Sequence, residues 1–254
     1  MFPKVSADQP VNDAINDSAN DSLSNHAAPV ITEKPVVTEE QDTRTRLLLT
    51  AGPIFAKSGF HRATIRDISQ AANVNVASVA YHFGDKIGLY RAVIDRVRQS
   101  REERFPAPES DRSLEPQQAL SHLIHTMLSR MIKGDQYGWE SQLIMREMEE
   151  PTLAFREMVE EFFRPIYGHL KSTIKQLLGD DAPPHVVEQF SLSVVGQCVY
   201  YRIGRGVVEI LVPDQMQRDH FGIDALCQHI SATTIAAARD QEFQKLKDSV
   251  ANDL

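Results

Sequence analysis

Between Thr64 and Lys86 the chain reads TIRDISQAANVNVASVAYHFGDK, and no other stretch limits the fold as tightly. Thr64 is a favoured N-cap residue, and Asp67 three positions on comes close to a capping box. Ile65, Ile68, Ala71 and Ala72 then recur at the spacing of one buried helical face. Asn73-Val74-Asn75 breaks that pattern, because Asn tolerates the left-handed backbone of a tight turn and Asn75 is suited to cap the next helix. Val76, Val79 and Phe83 give that helix a narrow apolar face. Its other face carries Ala77, Ser78, Tyr81 and His82, small or hydrogen-bonding and nowhere acidic. Two short helices joined in this way have the layout of a helix-turn-helix whose second helix fits a DNA major groove.

The flanking sequence extends the helical reading. A first helix is expected to start near Thr38, with Gln41 as capping partner. Leu48, Ala51 and Phe55 form its inner stripe beside Leu47 and Ile54, Pro53 bends it, and Gly59 suits a left-handed C-cap. Asp85-Lys86 opens a long helix through Leu89, Val93, Ile94 and Val97 to about Arg104. Phe105-Pro-Ala-Pro-Glu-Ser-Asp marks a boundary. Beyond Glu115 the pattern is helical throughout. One helix begins at Pro116, a second spans about Tyr137 to Glu149, and a long one runs from Pro151 to Leu177 with a kink at Pro165. Then come His185 to Arg205 and a last helix from about Asp219 to Leu246. No run alternates with period 2. The expected fold is all-α: a three-helix helix-turn-helix DNA-binding domain with its linking helix (38–104), joined to a larger helical ligand-binding and dimerisation domain (105–254). A disordered acidic tail is expected over 1–37.

Charge separates these regions. Residues 1–43 carry 2 basic and 8 acidic side chains, residues 44–104 carry 11 and 5, and residues 105–254 carry 14 and 22. Positive charge therefore gathers on the segment that would meet phosphates, while the net charge of −8 excludes a protein that coats nucleic acid indiscriminately. No apolar run is long enough to span a membrane and no secretory leader is visible, so a cytoplasmic location is expected. Cys198 and Cys227 are isolated, which argues against zinc and a disulfide framework. With no phosphate loop, HExxH or nucleophile elbow, no catalytic residue, cofactor or metal is expected. The acidic run Glu147-Met-Glu149-Glu150 reads as a solvated face.

Several motifs in fixed order carry a family resemblance. Lys57-Ser58-Gly59-Phe60, the Thr64-Ile-Arg-Asp-Ile run, and Tyr81-His-Phe-Gly-Asp-Lys86 leading into Leu89-Tyr90 resemble the DNA-binding domain of TetR-type transcriptional repressors. That family often has Gly where Asn73 stands, and a phosphate-touching Tyr where Ala80 stands; Tyr81 is the substitute expected here. The C-terminal half resembles a TetR subclass with a CerR-type ligand domain, through Arg146-Glu147 leading into Pro151-Thr152, Pro165 with His169-Leu170 after it, and Gly196 with Tyr201-Arg202-Ile203-Gly204. The resemblance implies a homodimeric repressor released from a palindromic operator by a small-molecule effector.

The candidate site residues fall into two groups. For DNA they are Arg44, Arg46, Thr64, Arg66, Asn75, Ala77, Ser78, Tyr81, His82 and Lys86. Ala77 and Ser78 let the helix approach base edges, Tyr81 and His82 offer hydrogen bonds, and Thr64 and Lys86 sit at helix starts near phosphates. Arg44 and Arg46 read equally well as solvated side chains; for His82 a structural role is the lesser alternative. For a ligand, Met127, Met131, Trp139, Tyr167, Tyr200 and Tyr201 are candidates to line a pocket, with Arg146, His169 and Arg202 to orient it. Ordinary core is the competing reading. The last two helices are the expected dimer interface, unless their faces bury within one subunit. Two other functions stay open: a redox-responsive regulator using Cys198 and Cys227, and a helical binding protein or enzyme that never touches DNA.

Overall fold

The computed structural model describes residues 39–108 and 114–240. The acidic tail, Thr38 and with it the expected cap pair, residues 109–113 and the extension of the last helix toward Leu246 lie outside the described residues. Among the described residues every regular element is helical.

Helix α1 (Glu39–Arg62) contains Pro53 and turns at Gly59, whose φ of 76° is costly for any residue with a Cβ. Leu47, Leu48, Ala51 and Phe55 are its buried stripe. α2 (Ile65–Ala71), α3 (Val76–Phe83) and α4 (Lys86–Arg104) complete the head. Two details differ from the sequence reading. Ala71 is exposed and Ser69 is buried in its place, because the inward face of α2 runs 65, 68, 69, 72. Val76 is 51% exposed, although its spacing groups it with the fully buried Val79. Periodicity cannot tell how much of an eight-residue helix meets the core. The inward face of α4 is Leu89, Tyr90, Val93, Ile94, Val97 and Arg101.

Next come α5 (Pro116–Ile132), α6 (Glu140–Glu149), α7 (Phe155–Met158), a π turn (Val159–Phe163), α8 (Arg164–Leu178), α9 (Pro184–Ile203), α10 (Arg205–Leu211), α11 (Asp214–His220) and α12 (Ile223–Arg239). The long helix expected from Pro151 to Leu177 starts only at Phe155, and runs to Leu178 through the π turn. Pro165 falls in the first turn of α8, where a missing N–H costs little, and the widened π turn before it absorbs the irregularity. The last helix begins at Ile223 rather than Asp219, since Phe221-Gly222 interrupts it.

Two apolar cores result. One joins α1 to α4 but does not stop at residue 104: Trp139, Leu143, Ile144, Ala154, Met158 and Phe162 belong to it. The other is built from α5, α8, α9 and α12. Residues far along the chain therefore help to build the head.

Candidate nucleic-acid interface and effector cavity

The turn between α2 and α3 forms because Asn73 accepts a φ of 53°, which Asn does at lower cost than most residues. The Val74 amide then donates to the Ser69 carbonyl at 3.0 Å. Asn75 Oδ1 accepts from the Ala77 amide at 2.9 Å and starts α3. On the outward face Val76, Ala77, Ala80 and Tyr81 are exposed, with Ser78 and His82 half-buried. Tyr81 is 74% exposed. His82 lies edge-on to Tyr81 at 4.9 Å and 6.1 Å from the Phe83 ring, so it touches both core and surface.

Other expected DNA residues have partners of their own. Thr64 Oγ1 accepts from the Asp67 amide at 3.1 Å and donates to Asp67 Oδ2 at 2.7 Å, which commits its proton. Lys86 Nζ donates to the His61 carbonyl at 3.3 Å and lies 4.5 Å above the Phe60 ring, tying the end of α1 to the start of α4. Arg44 lies over Phe83 at 5.2 Å. Arg46 faces Asp42 at 3.5 Å. Arg66 is exposed on α2. Val76 and Ala80 were not among the expected contacts. Their signal was position: both share the outward surface of α3, and apolar groups there can meet thymine methyls.

Among the contacts that fasten the head to the body, three involve α6 and reach α1 or α4. A Cβ at Gly52 would lie 2.2 Å from the Trp139 ring, so α1 and α6 approach at a residue with no side chain. Arg146 Nε donates to the Ala56 carbonyl at 3.2 Å, near the kinked end of α1. Tyr90 donates to Glu147 Oε2 at 2.8 Å, and Glu147 Oε1 accepts from the Thr152 amide and hydroxyl, each at 2.9 Å. Glu147 is 0% exposed, contrary to the solvated face expected for its acidic run. Burial, and after it the Glu147 carboxylate, pushes the Tyr90 hydroxyl far above its ordinary range.

A cavity of about 400 Å³ opens among α4, α5, α6, the π turn, α8 and α9. Its size is that of a small-molecule site. Of the expected ligand residues it gathers Met127, Met131, Tyr167 and Arg202. Trp139 and Arg146 hold α6 to α1 instead. Tyr200 is exposed, Tyr201 packs 6.3 Å from Phe221, and His169 is half-buried on α8 outside the lining. The sequence reading missed Arg101, Arg130, Met145, Met148 and Phe162, all in the wall. Arg101 had left a signal: it stands four residues after Val97, on the buried stripe of α4.

Comparison with known proteins agrees with this geometry. Residues 47–93 match the family described as "Bacterial regulatory proteins, tetR family". Residues 116–238 match "HTH-type transcriptional dual regulator CecR, C-terminal domain". The dual regulator CecR of Shigella flexneri is 28% identical over 182 residues, 66% of this chain and 79% of its own length. GusR of Salmonella enterica shares the fold, with a TM-score of 0.54 at 17% identity over 80% of this chain and 99% of its own. So does AibR, solved with isovaleryl coenzyme A and operator DNA, with a TM-score of 0.52 at 15% identity over 75% of this chain and 97% of its own. The two family matches define a TetR-type transcriptional regulator, a DNA-binding class of protein. The chain belongs to the TetR family, with a C-terminal domain of the CecR type; CecR, not CerR, is the correct name of that subclass.

Proposed function

We propose that this protein is a homodimeric cytoplasmic repressor that leaves a palindromic operator when a small molecule fills the cavity. One observation carries the reading. α4 begins in the head at Lys86, clasped to α1, and reaches the cavity wall at Arg101. A ligand that favours one position of Arg101 therefore biases the angle of the helix on which the head rides. By linkage, that ligand weakens operator binding by its preference for the misaligned state.

Dimerisation has its own support. Leu192, Ser193, Gly196, Tyr200 and Ile203 form one exposed stripe along α9, and Val207, Ile210 and Leu211 on α10 extend the exposed apolar surface. Apolar stripes of this extent are usually covered by a partner. On α12, Gln228, Ala232, Thr233 and Ala236 are exposed and suit close helix packing. A second copy would present two α3 helices to half-sites about 34–36 Å apart, one turn of DNA. The residues proposed for DNA are Arg44, Arg46, Thr64, Arg66, Asn75, Ala77, Ser78, Tyr81, His82 and Lys86, to which Val76 and Ala80 are added. The redox alternative fares poorly. Burial pushes Cys198 up to about 12 and raises Cys227 as well, so reactive thiolate is scarce.

The test is operator affinity with and without cavity ligands found by thermal-shift screening. At saturation such a ligand should weaken operator binding at least several-fold; unchanged affinity contradicts release.

A further inference from the structure

The cavity wall is chemically lopsided. Methionines and the Phe162-Phe163 pair supply an apolar body, whereas the charged groups in the wall are four arginines, with no carboxylate among them. Buried cations without counter-ions are unfavourable, so such a wall awaits negative charge. Two of the four have other engagements. Arg164 pairs with Glu160, and Arg130 Nε donates to the Phe105 carbonyl at 2.8 Å.

Arg101 and Arg202 are different. Arg101 is only 5% exposed. One terminal nitrogen donates to Ser141 Oγ at 3.2 Å, and the guanidinium stacks 5.6 Å from the Phe162 ring. Its Nε is buried without a hydrogen-bond partner, and the same holds for Arg202 Nε. Arg202 reaches Asp135 only at 3.8 Å, and that oxygen already accepts from the Ser141 amide at 3.2 Å. Asp135 spends its other oxygen on the Glu140 amide, also at 3.2 Å. Ser141 and Asp135 thus bring both guanidiniums to one end of the cavity. Glu140, the other acid nearby, accepts from the Gln136 amide at 3.1 Å, and burial raises its carboxyl. Burial also holds Arg101 down at about 10, partly offset by Glu140 and Asp135 and reinforced by the positive charge of Arg202. It remains a cation at neutral pH, with a neighbour of the same sign.

Resting on the cavity being the effector site, we infer that the effector is an amphipathic carboxylate. Its apolar body lies against the methionines and the two phenylalanines, and its head pairs with the guanidiniums of Arg101 and Arg202, each of which has a buried nitrogen left without a partner. A charge-assisted bond to a buried guanidinium is among the stronger polar contacts available. Because Arg101 belongs to α4, the head group bears directly on the helix that carries the reading head.

The experiment uses the full chain and three probes of equal chain length: sodium decanoate, decanol and decylammonium chloride, each below its aggregation limit. Binding is read by isothermal titration. Decanoate should bind at least tenfold more tightly than the other two. Arg101→Met should remove that advantage while leaving decanol affinity and far-UV circular dichroism in place. Arg202→Met serves the same purpose should Arg101→Met fail to fold. Decanol or decylammonium binding as tightly as decanoate overturns the inference, as does failure of decanoate to bind or its unchanged affinity in the folded arginine variants. Arg101-dependent binding that leaves operator affinity untouched at saturation supports the carboxylate and defeats the release mechanism. Decanol releasing DNA where decanoate does not bind does the reverse.

Discussion

Glu147 is the side chain on which the junction between head and body turns. It is fully buried and holds three hydrogen bonds, from Tyr90 and from the amide and hydroxyl of Thr152. Tyr90→Phe removes one donor from a buried acid and should cost about 1.5–3 kcal/mol, the range for hydrogen bonds to charged groups. Urea denaturation measures it, and a loss below about 0.5 kcal/mol would mean that solvent reaches the carboxylate in the native state. The capping roles of Thr64 and Asn75 were legible in the sequence because a cap acts on amides two or three residues away. The roles of Arg146 and Trp139 were not, since their partners Ala56 and Gly52 lie in a distant helix. A buried arginine such as Arg101 was half legible: its position on an apolar stripe shows in the helical period, but the cavity beside it does not.

At the scale of helices, the contact between α1 and α6 decides how rigidly the head is held. Gly52→Ala would place a methyl group inside the Trp139 ring, so the ring or the helix must move. Overpacking of this kind costs about 1–3 kcal/mol. Trp139 is the sole tryptophan, so its emission reports the displacement directly. An unshifted spectrum and unchanged stability would show that the two helices slide apart freely. The helices of the head could be read from sequence because short-range signals bound them: Thr64, Asn75 and Asp85 at their starts, Gly59 and Gly84 at their turns. The π turn was invisible for the opposite reason. Val159, Phe162 and Phe163 keep an apolar spacing that fits an uninterrupted helix, and only packing around the cavity distinguishes the two.

For the whole molecule, the proposed function rests on two heads held at a fixed separation and on a cavity whose ligand changes it. The exposed stripe of α9 is where the second copy is proposed to pack, with Gly196 at its middle. Gly196→Glu puts a charge there, and a Cβ at this position meets nothing within 4 Å beyond its own turn of helix. Sedimentation should then give a monomer that keeps its helical content and loses most of its operator affinity, because each head reads only a few base pairs. A dimer that survives the substitution would move the interface elsewhere. The all-helical division into a basic head and a helical body was legible from charge and periodicity. The sharing of the first core between them was not, since residues 139–162 enter it through contacts that no local pattern encodes.

The most direct test is fluorescence anisotropy with the DNA upstream of the protein's own gene, against scrambled competitor, at two salt concentrations. Wild-type protein should bind saturably, outlast the competitor and weaken as salt rises. Tyr81→Ala, an exposed position whose loss should leave stability within about 0.5 kcal/mol, should abolish the preference for the cognate DNA. Equal affinity for cognate and scrambled DNA, or a Tyr81→Ala protein that binds as well as wild type, would contradict the assignment of α3 as the helix that reads this operator.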